Sequence, residues 1–286
     1  MPRRMPALFA LAVAAFCLMY GSVAATAQIR LNSGFRTNIL PGNDDGSTGP
    51  VSIGFTIDLF GTVRDSLYVN NNGNVTFDYP IWWYTPFGLT EGGVPPILAP
   101  FFADVDTRVG ERVTYGYDLV DGRPAFGVNW FEGPNDLGVG YFPASTDKLN
   151  KFQLVLIDRS DTGIGNFDFE FNYGRIQWET GGASGGSGGL GGYSDHAGWS
   201  NGLSGALNVS YEIPGSGVNG AHLDSNLITG LIYTSNVGIP GRWMWTVRQS
   251  EVLPPPPPGP EIPEPGALAL LLAAIPAGLL FVRRRR

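Results

Sequence analysis

The stretch Phe167-Asp168-Phe169-Glu170-Phe171-Asn172-Tyr173 alternates aromatic and polar side chains without interruption. Successive side chains of a β-strand point to opposite faces of a sheet, so the alternation predicts a strand with one aromatic face in a core. The preceding segment Lys151–Asp158 is apolar on both faces, as in a central strand, and Asp161-Thr162-Gly163 predicts the turn between the two. This part of the chain therefore predicts an antiparallel sheet.

Further strand patterns recur on both sides of this stretch. Asn71-Asn72-Gly73 predicts a hairpin with Gly73 in the left-handed conformation and Val69 opposite Val75. Asp121-Gly122 predicts a second hairpin. Because no stretch between residues 28 and 253 has a helical period, we expect an all-β fold, either one large β-sandwich or an irregular β-barrel-like domain. The other predicted strands are Val51–Leu59, Val113–Leu119, Ala125–Trp130, Leu207–Ile213, Leu231–Thr234 and Trp243–Val247.

The N-terminus has the pattern of a secretory signal peptide, predicted to span residues 1–27. Arg3 and Arg4 precede an apolar stretch, and Ala25-Thr26-Ala27 fits the small-x-small rule of signal peptidase, with Gln28 as the first mature residue. A first transmembrane helix is the alternative, but it fits poorly because the apolar stretch leads directly into a cleavage site. We therefore expect an exported protein.

The C-terminus, residues 263–286, combines the tripeptide Pro263-Glu264-Pro265, an apolar run at residues 266–282 and a basic cluster. As a helix the run would rise about 25 Å, close to the roughly 30 Å of a hydrocarbon core. The segment resembles the PEP-CTERM sorting signal of Gram-negative bacteria. That resemblance implies cleavage by an exosortase after a transient inner-membrane anchor; an ordinary tail anchor leaves the tripeptide unexplained. The basic cluster is Arg283, Arg284, Arg285 and Arg286.

The composition of the chain between the signal peptide and the C-terminal sorting signal argues against several functions. The only cysteine, Cys17, lies in the signal peptide, so disulfides and thiol chemistry are not expected. Between Gln28 and Pro265 there are 25 acidic and 12 basic residues, a formal charge of −13. This balance excludes nucleic acid as an expected partner, because phosphate binding needs clustered Lys and Arg.

Two low-complexity segments flank or interrupt the predicted strands. Gly181–Gly192 holds eight glycines in twelve residues, and backbone entropy predicts a mobile surface loop. Its G-x-S-x-G match at Gly182–Gly186 lacks the strand-to-helix turn of a nucleophile elbow, so no catalytic residue is assigned. Residues 254–262 are rich in proline and predict a stiff spacer between the domain, residues 28–253, and the membrane.

The middle of the chain resembles the extracellular nidogen-like (NIDO) domain over about residues 60–247. In that family the domain is associated with extracellular matrix and cell-matrix adhesion, without known catalysis. The nidogen-like resemblance therefore implies a role in adhesion or matrix structure, and the sorting signal implies delivery to the cell surface or to exopolysaccharide. It rests on Leu67–Gly73 (LYVNNNG), Ile97–Asp106 (ILAPFFADVD), Ala125–Trp130, Lys148–Arg159 (KLNKFQLVLIDR), Phe167–Tyr173 and Ile176–Gly181 (IQWETG).

Two groups of residues are candidate sites. Asp104 and Asp106 share one face of an extended chain, and their hard oxygen atoms suit calcium; the alternative is that both cap backbone N–H groups at a tight bend. Trp82, Trp83 and Tyr84 can stack on sugar rings if they are exposed, or fold onto the edge of the core. His196 and His222 are expected on exposed loops. A lectin-like module is thus the alternative function, and an envelope hydrolase a weaker one.

Overall fold

The computed structural model describes residues 29–133 and 137–254. The predicted signal peptide with its cleavage site, the spacer beyond Pro254, the transmembrane helix 266–282 and the sorting residues all lie outside these ranges. Within the two described ranges, no helix has both the length and the apolar composition needed to span a bilayer.

The described residues form two sheets built from 15 strands, and every strand pair is antiparallel. The strands are β1 (Asn38–Leu40), β2 (Val51–Leu59), β3 (Thr62–Asn70), β4 (Asn74–Thr76), β5 (Ile97–Phe102), β6 (Val105–Gly110), β7 (Val113–Val120), β8 (Arg123–Asn129), β9 (Val139–Tyr141), β10 (Ser145–Asp158), β11 (Phe167–Arg175), β12 (His196–Ser200), β13 (Ser210–Glu212), β14 (Arg242–Arg248) and β15 (Glu251–Leu253). Short 3₁₀ turns occur at Ser33–Arg36, Ser160–Thr162, Gly182–Ser184 and Gly205–Leu207.

The larger sheet has the order β1-β7-β8-β10-β11-β14-β15, and β9 joins β6 to β10 beside it. The smaller sheet has the order β13-β12-β5-β4-β3-β2. Residues of both sheets share one hydrophobic core, in which the ring of Phe101 on β5 lies 5.2 Å from that of Phe152 on β10. The Tyr173 hydroxyl donates a hydrogen bond of 2.8 Å to the Pro100 carbonyl across the sheets. The all-β prediction is confirmed, in its sandwich form.

The two predicted hairpins form as expected. Val69 pairs with Val75, and Gly73 has a φ of 77°. A Cβ atom at Gly73 would lie 1.6 Å from the Phe101 carbonyl oxygen, so the position also needs glycine for the close approach of β5. In the second hairpin, between β7 and β8, Asp121 and Gly122 both have positive φ, as a type I′ turn requires.

Two strand predictions near the C-terminal side of the domain need correction. Leu231–Thr234 is not a strand, because the Gly230 carbonyl accepts the N–H groups of Tyr233 and Thr234 and closes a turn there. Within Leu207–Ile213, only Ser210–Glu212 is extended and paired, as β13.

The polar face of β11 is buried, although its alternation predicts exposure to solvent. Asp168 and Glu170 are each 2% exposed. The Glu170 carboxylate accepts two hydrogen bonds from the Arg30 guanidinium, at 2.7 and 2.8 Å. Asp168 forms ion pairs of 2.7 Å with both Arg159 and Arg248. Arginine side chains thus cover the outer face of the central strand, and the charges are compensated where they are buried.

Candidate functional site

An open cleft of about 490 Å³ lies beside the smaller sheet, in the loop between β4 and β5. Trp82, Trp83 and Tyr84 line it, with exposed fractions of 68%, 37% and 40%. The Trp82 ring is therefore mostly exposed to solvent, and the rings of Trp83 and Tyr84 are partly exposed. Glu91, which carries a carboxylate, also lines the cleft. Aromatic faces beside a polar acceptor, in a cleft of this size, suit a ligand that is apolar on one face and polar at its edges.

Buried asparagines hold the backbone of this loop. The Asn72 side-chain amide donates to the Trp83 carbonyl at 3.1 Å, and Asn70 Oδ1 accepts the N–H of Ile81 at 3.3 Å. Beneath the cleft, Phe87 packs edge-on against both Trp83, at 5.5 Å, and Phe102 of β5, at 5.1 Å. The exposed rings thus stand on a backbone that is tied to the sheet, as a preformed binding surface requires.

The structure places Asp104 and Asp106 in different environments. Asp106 lies on β6, where its carboxylate accepts the N–H groups of Arg108 and Ala144 and forms an ion pair of 2.5 Å with the Arg108 guanidinium. These contacts hold the pKa of Asp106 below its usual value, even though burial acts in the opposite direction. Asp106 thus accepts backbone N–H groups, as the second interpretation of the pair expected, but it does so from within a strand and also binds an arginine.

Asp104 instead faces two aspartates that the sequence patterns did not single out. Carboxylate oxygens of Asp44, Asp45 and Asp104 lie within 4.8 Å of one another, and Asp104 is 1% exposed. Burial, followed by the charges of Asp44, Asp45 and Asp106, raises the pKa of Asp104 to about 7. Burial and neighbouring carboxylates likewise raise the pKa of Asp44 to about 6. The one sequence signal for this cluster is the turn-forming stretch Asn43-Asp44-Asp45-Gly46.

The glycine run Gly181–Gly192 lies largely at the surface, as its composition predicts, but its backbone is hydrogen-bonded to neighbouring segments. The Gly182 N–H donates to the Phe142 carbonyl at 2.7 Å, and the Gly189 carbonyl accepts the N–H groups of Glu179 and Thr180. Ser184 is buried, and its hydroxyl lies 3.1 Å from that of Thr85, next to the aromatic cleft. Glycine is needed here for close backbone packing, which the composition alone does not distinguish from flexibility.

Both histidines also lie elsewhere than expected. His196 is on β12, with Nδ1 2.7 Å from Glu212. His222 is 1% exposed; its Nδ1 lies 2.7 Å from Asp195, and its Nε2 lies 3.2 Å from the Pro214 carbonyl. Burial lowers the pKa of His222, but the carboxylate and the carbonyl outweigh it and raise the pKa above the ordinary value. The imidazole is thus enclosed by acceptors and links two loops.

Comparison with known proteins identifies one domain family over most of the described chain. The sequence profile of the Nidogen-like domain matches residues 65–125 and 116–249. Alpha-tectorin of Mus musculus is 32% identical over 235 residues, which cover 75% of this chain and 10% of the relative. Nidogen of Drosophila melanogaster is 26% identical over 241 residues, covering 75% of this chain and 16% of the relative.

The chain thus spans about a tenth of the alpha-tectorin length. No solved structure matches it significantly. The profile match covers most of the described β-sandwich, including strands of both sheets and the loop that carries the aromatic cleft. The chain belongs to the nidogen-like domain family.

Proposed function

We propose that this chain is an exported, non-catalytic adhesion or matrix protein of the cell surface, delivered there by exosortase processing of its C-terminal signal. Membership of the nidogen-like family carries the proposal, because that domain is associated with extracellular matrix. The tripeptide Pro263-Glu264-Pro265 and the basic cluster after residue 282 support the route of delivery. Signal peptidase would act first, before Gln28, and the membrane anchor would be transient.

The delivery route predicts a shortened protein on the cell surface. We expect mass spectrometry of the surface-released form to show a chain that starts at Gln28 and ends near Pro265, because the exosortase cuts beside the tripeptide. A Glu264→Ala variant should remain in the membrane fraction, whereas Pro260→Ala, just outside the tripeptide, should be released normally. A released form that still ends at Arg286 would reject exosortase processing and leave the tail as a simple anchor.

The aromatic cleft favours carbohydrate binding as a second candidate function. Sugar rings present an apolar face of C–H groups and a polar edge, which match the exposed rings of Trp82 and Trp83 and the carboxylate of Glu91. In exopolysaccharide, such a cleft would attach the domain to its surroundings. Matrix adhesion and sugar binding are compatible functions, because a cleft that binds a matrix polysaccharide would also attach the protein to the matrix.

This second function predicts that one tryptophan carries much of the affinity. We expect Trp82→Ala to weaken binding to the exopolysaccharide of the producing cell by about 2 kcal/mol, roughly thirtyfold, as for a central aromatic contact. Titration calorimetry with the purified polysaccharide measures the change. Tyr233→Ala, which removes a 43%-exposed aromatic ring outside the cleft, is the matched control and should bind as the unmodified chain does. Equal affinity of all three proteins would exclude the cleft as the sugar site.

A further inference from the structure

The loop at residues 41–47 brings two carboxylates against a third that is buried in the sandwich. Asp44 and Asp45 lie on this loop, and Asp104 lies at the junction of β5 and β6. One oxygen from each of the three lies within 4.8 Å of the others. Like charges at this separation repel one another, so the arrangement needs either protonation or a cation to balance it.

Two oxygens of this cluster are buried without a hydrogen-bond donor. Asp104 Oδ2 and Asp44 Oδ1 accept no hydrogen bond from the described residues, and the Asp104 side chain is almost fully enclosed. Buried polar atoms in proteins are nearly always paired, and the exceptions indicate an ion, a water molecule or a functional strain. The buried, unpaired oxygen of Asp104 therefore indicates a missing ligand, in addition to the short distances among the three carboxylates.

The nearest basic side chain does not neutralise the cluster. Arg108 Nη2 lies 3.3 Å from Asp44 Oδ2, but the same guanidinium is bound to Asp106 by Nε at 2.9 Å and Nη2 at 2.5 Å. One arginine thus interacts with Asp44 and Asp106, and no basic side chain among the described residues is shown to pair with Asp45 or Asp104. A divalent cation would compensate their negative charge.

Side chains around the cluster fix the carboxylates in place. Asn72 Nδ2 donates to Asp45 Oδ1 at 2.9 Å, and Asn43 Oδ1 accepts the Gly46 N–H at 2.6 Å. The Thr107 hydroxyl donates to Asn71 Oδ1 at 2.7 Å and lies 3.0 Å from the Asn43 carbonyl, which ties the loop to β6. Hydrogen bonds of this kind orient the ligands of metal sites. The loop is therefore held in place by the residues beneath it.

We propose that Asp44, Asp45 and Asp104 bind a divalent cation, and that this cation is Ca²⁺. The donors are carboxylate oxygens, which hard cations prefer, and the three residues include neither a thiol nor an imidazole for zinc. Ca²⁺ accepts irregular arrangements of six to eight oxygens, whereas Mg²⁺ demands a near-ideal octahedron at shorter distances. Water supplies the ligands that the three carboxylates do not. Asp106, bound by Arg108, supports the site without ligating the ion.

The site lies next to the aromatic cleft. Asn72 Nδ2, which donates to Asp45, is also bonded to the Trp83 carbonyl. Gly181 lies on the other side, where a Cβ atom would come within 2.2 Å of Asp104 Oδ2. The cation thus lies where three loops meet, those of residues 41–47, the aromatic cleft and the glycine run, and its binding stabilises the domain.

Titration calorimetry of the chelator-treated full chain with CaCl₂ tests the proposal. We expect one Ca²⁺ per chain, a rise of the melting temperature with Ca²⁺, and much weaker binding of Mg²⁺. Asp104→Asn keeps the shape of the side chain but removes a charge, and it should abolish Ca²⁺ binding. Asp45→Asn, at a more accessible position, should do the same if Asp104→Asn does not fold. Asp65→Asn, which neutralises an exposed aspartate on β3, is the control and should retain full binding.

Three results would overturn the site. The first is no heat of binding and identical melting curves with Ca²⁺ and with chelator. The second is full Ca²⁺ binding by both Asp45→Asn and Asp104→Asn. The third is equal loss of binding in Asp65→Asn, which would indicate only general attraction of Ca²⁺ to an acidic surface. Because the measurement uses the metal alone, its outcome does not depend on the aromatic cleft or on C-terminal processing.

Discussion

Phe169→Ala is expected to lower the free energy of unfolding by about 3–5 kcal/mol, a large part of the roughly 5–15 kcal/mol that stabilises a typical domain. Phe169 is fully buried on β11, between β10 and β14, and its ring stacks on Trp245 at a centroid distance of 5.1 Å. Removing the ring leaves a cavity that the neighbouring rigid strands cannot close. We therefore expect little secreted, protease-resistant protein.

Secreted yield and urea denaturation of the purified chain measure this effect. Tyr193→Ala is the matched control, because it deletes an aromatic ring that is 66% exposed, and its stability should change by less than about 0.5 kcal/mol. A Phe169→Ala protein as stable as this control would mean that β11 is not the centre of the core. A loss shared equally by both variants would point to a general defect in export.

Side-chain alternation and turn motifs predicted the all-β class and many of the strands, but not the strand order. β2, β7, β8, β10, β11 and β14 all overlap predicted strands, and both turn motifs form hairpins. Such predictions succeed because side-chain period and turn chemistry are local properties. The polar face of β11 could not be predicted in the same way. Its burial depends on Arg30, which is 140 residues away from Glu170 in sequence.

In the candidate sites, too, the sequence predicted local features but not contacts between distant residues. The exposure of Trp82 agrees with the solvent-facing interpretation of the aromatic cluster, whereas Trp83 also packs on Phe87 at the edge of the core. The partners of Asp104 were missed, because Asp44 and Asp45 approach it only after the loop at residues 41–47 docks on β6. The ordered glycine run was also missed, since glycine content rises both in mobile loops and where backbones pack closely.

Glu170→Ala is the second substitution with a large expected effect, again about 3–5 kcal/mol of lost stability. The Glu170 carboxylate is 3% exposed and binds the Arg30 guanidinium through two hydrogen bonds, while Arg242 Nε lies 3.8 Å away. Truncation removes the carboxylate that compensates Arg30 on the buried face of the sheet. We expect residues 29–32 to detach from the sheet, so that trypsin would cut after Arg30 in the variant but not in the unmodified chain.

Asp161→Ala is the matched control for this experiment. Asp161 also pairs with two arginines, Arg123 at 2.9 Å and Arg159 at 3.1 Å, but its side chain is 47% exposed. Ion pairs in solvent contribute at most about 1 kcal/mol, so urea denaturation should separate the two variants clearly. If both variants lose the same stability, the buried pair of Glu170 and Arg30 contributes no more than a pair in solvent, and the expected loss of about 3–5 kcal/mol would be wrong.

The pH dependence of the Glu170→Ala effect gives a second, independent measurement. Burial raises the pKa of Glu170, but the Arg30 hydrogen bonds and the charges of Arg242 and Arg30 outweigh burial and hold the pKa below its usual value. A carboxyl with a lowered pKa in the folded state stabilises the protein at neutral pH, and this contribution is lost as the pH falls through that pKa. The stability difference between the unmodified chain and Glu170→Ala should therefore be full at pH 7 and shrink in acid. If the stability difference between the two proteins stays constant into strong acid, the stabilisation comes from packing of the Glu170 methylene groups and not from the charge of its carboxylate.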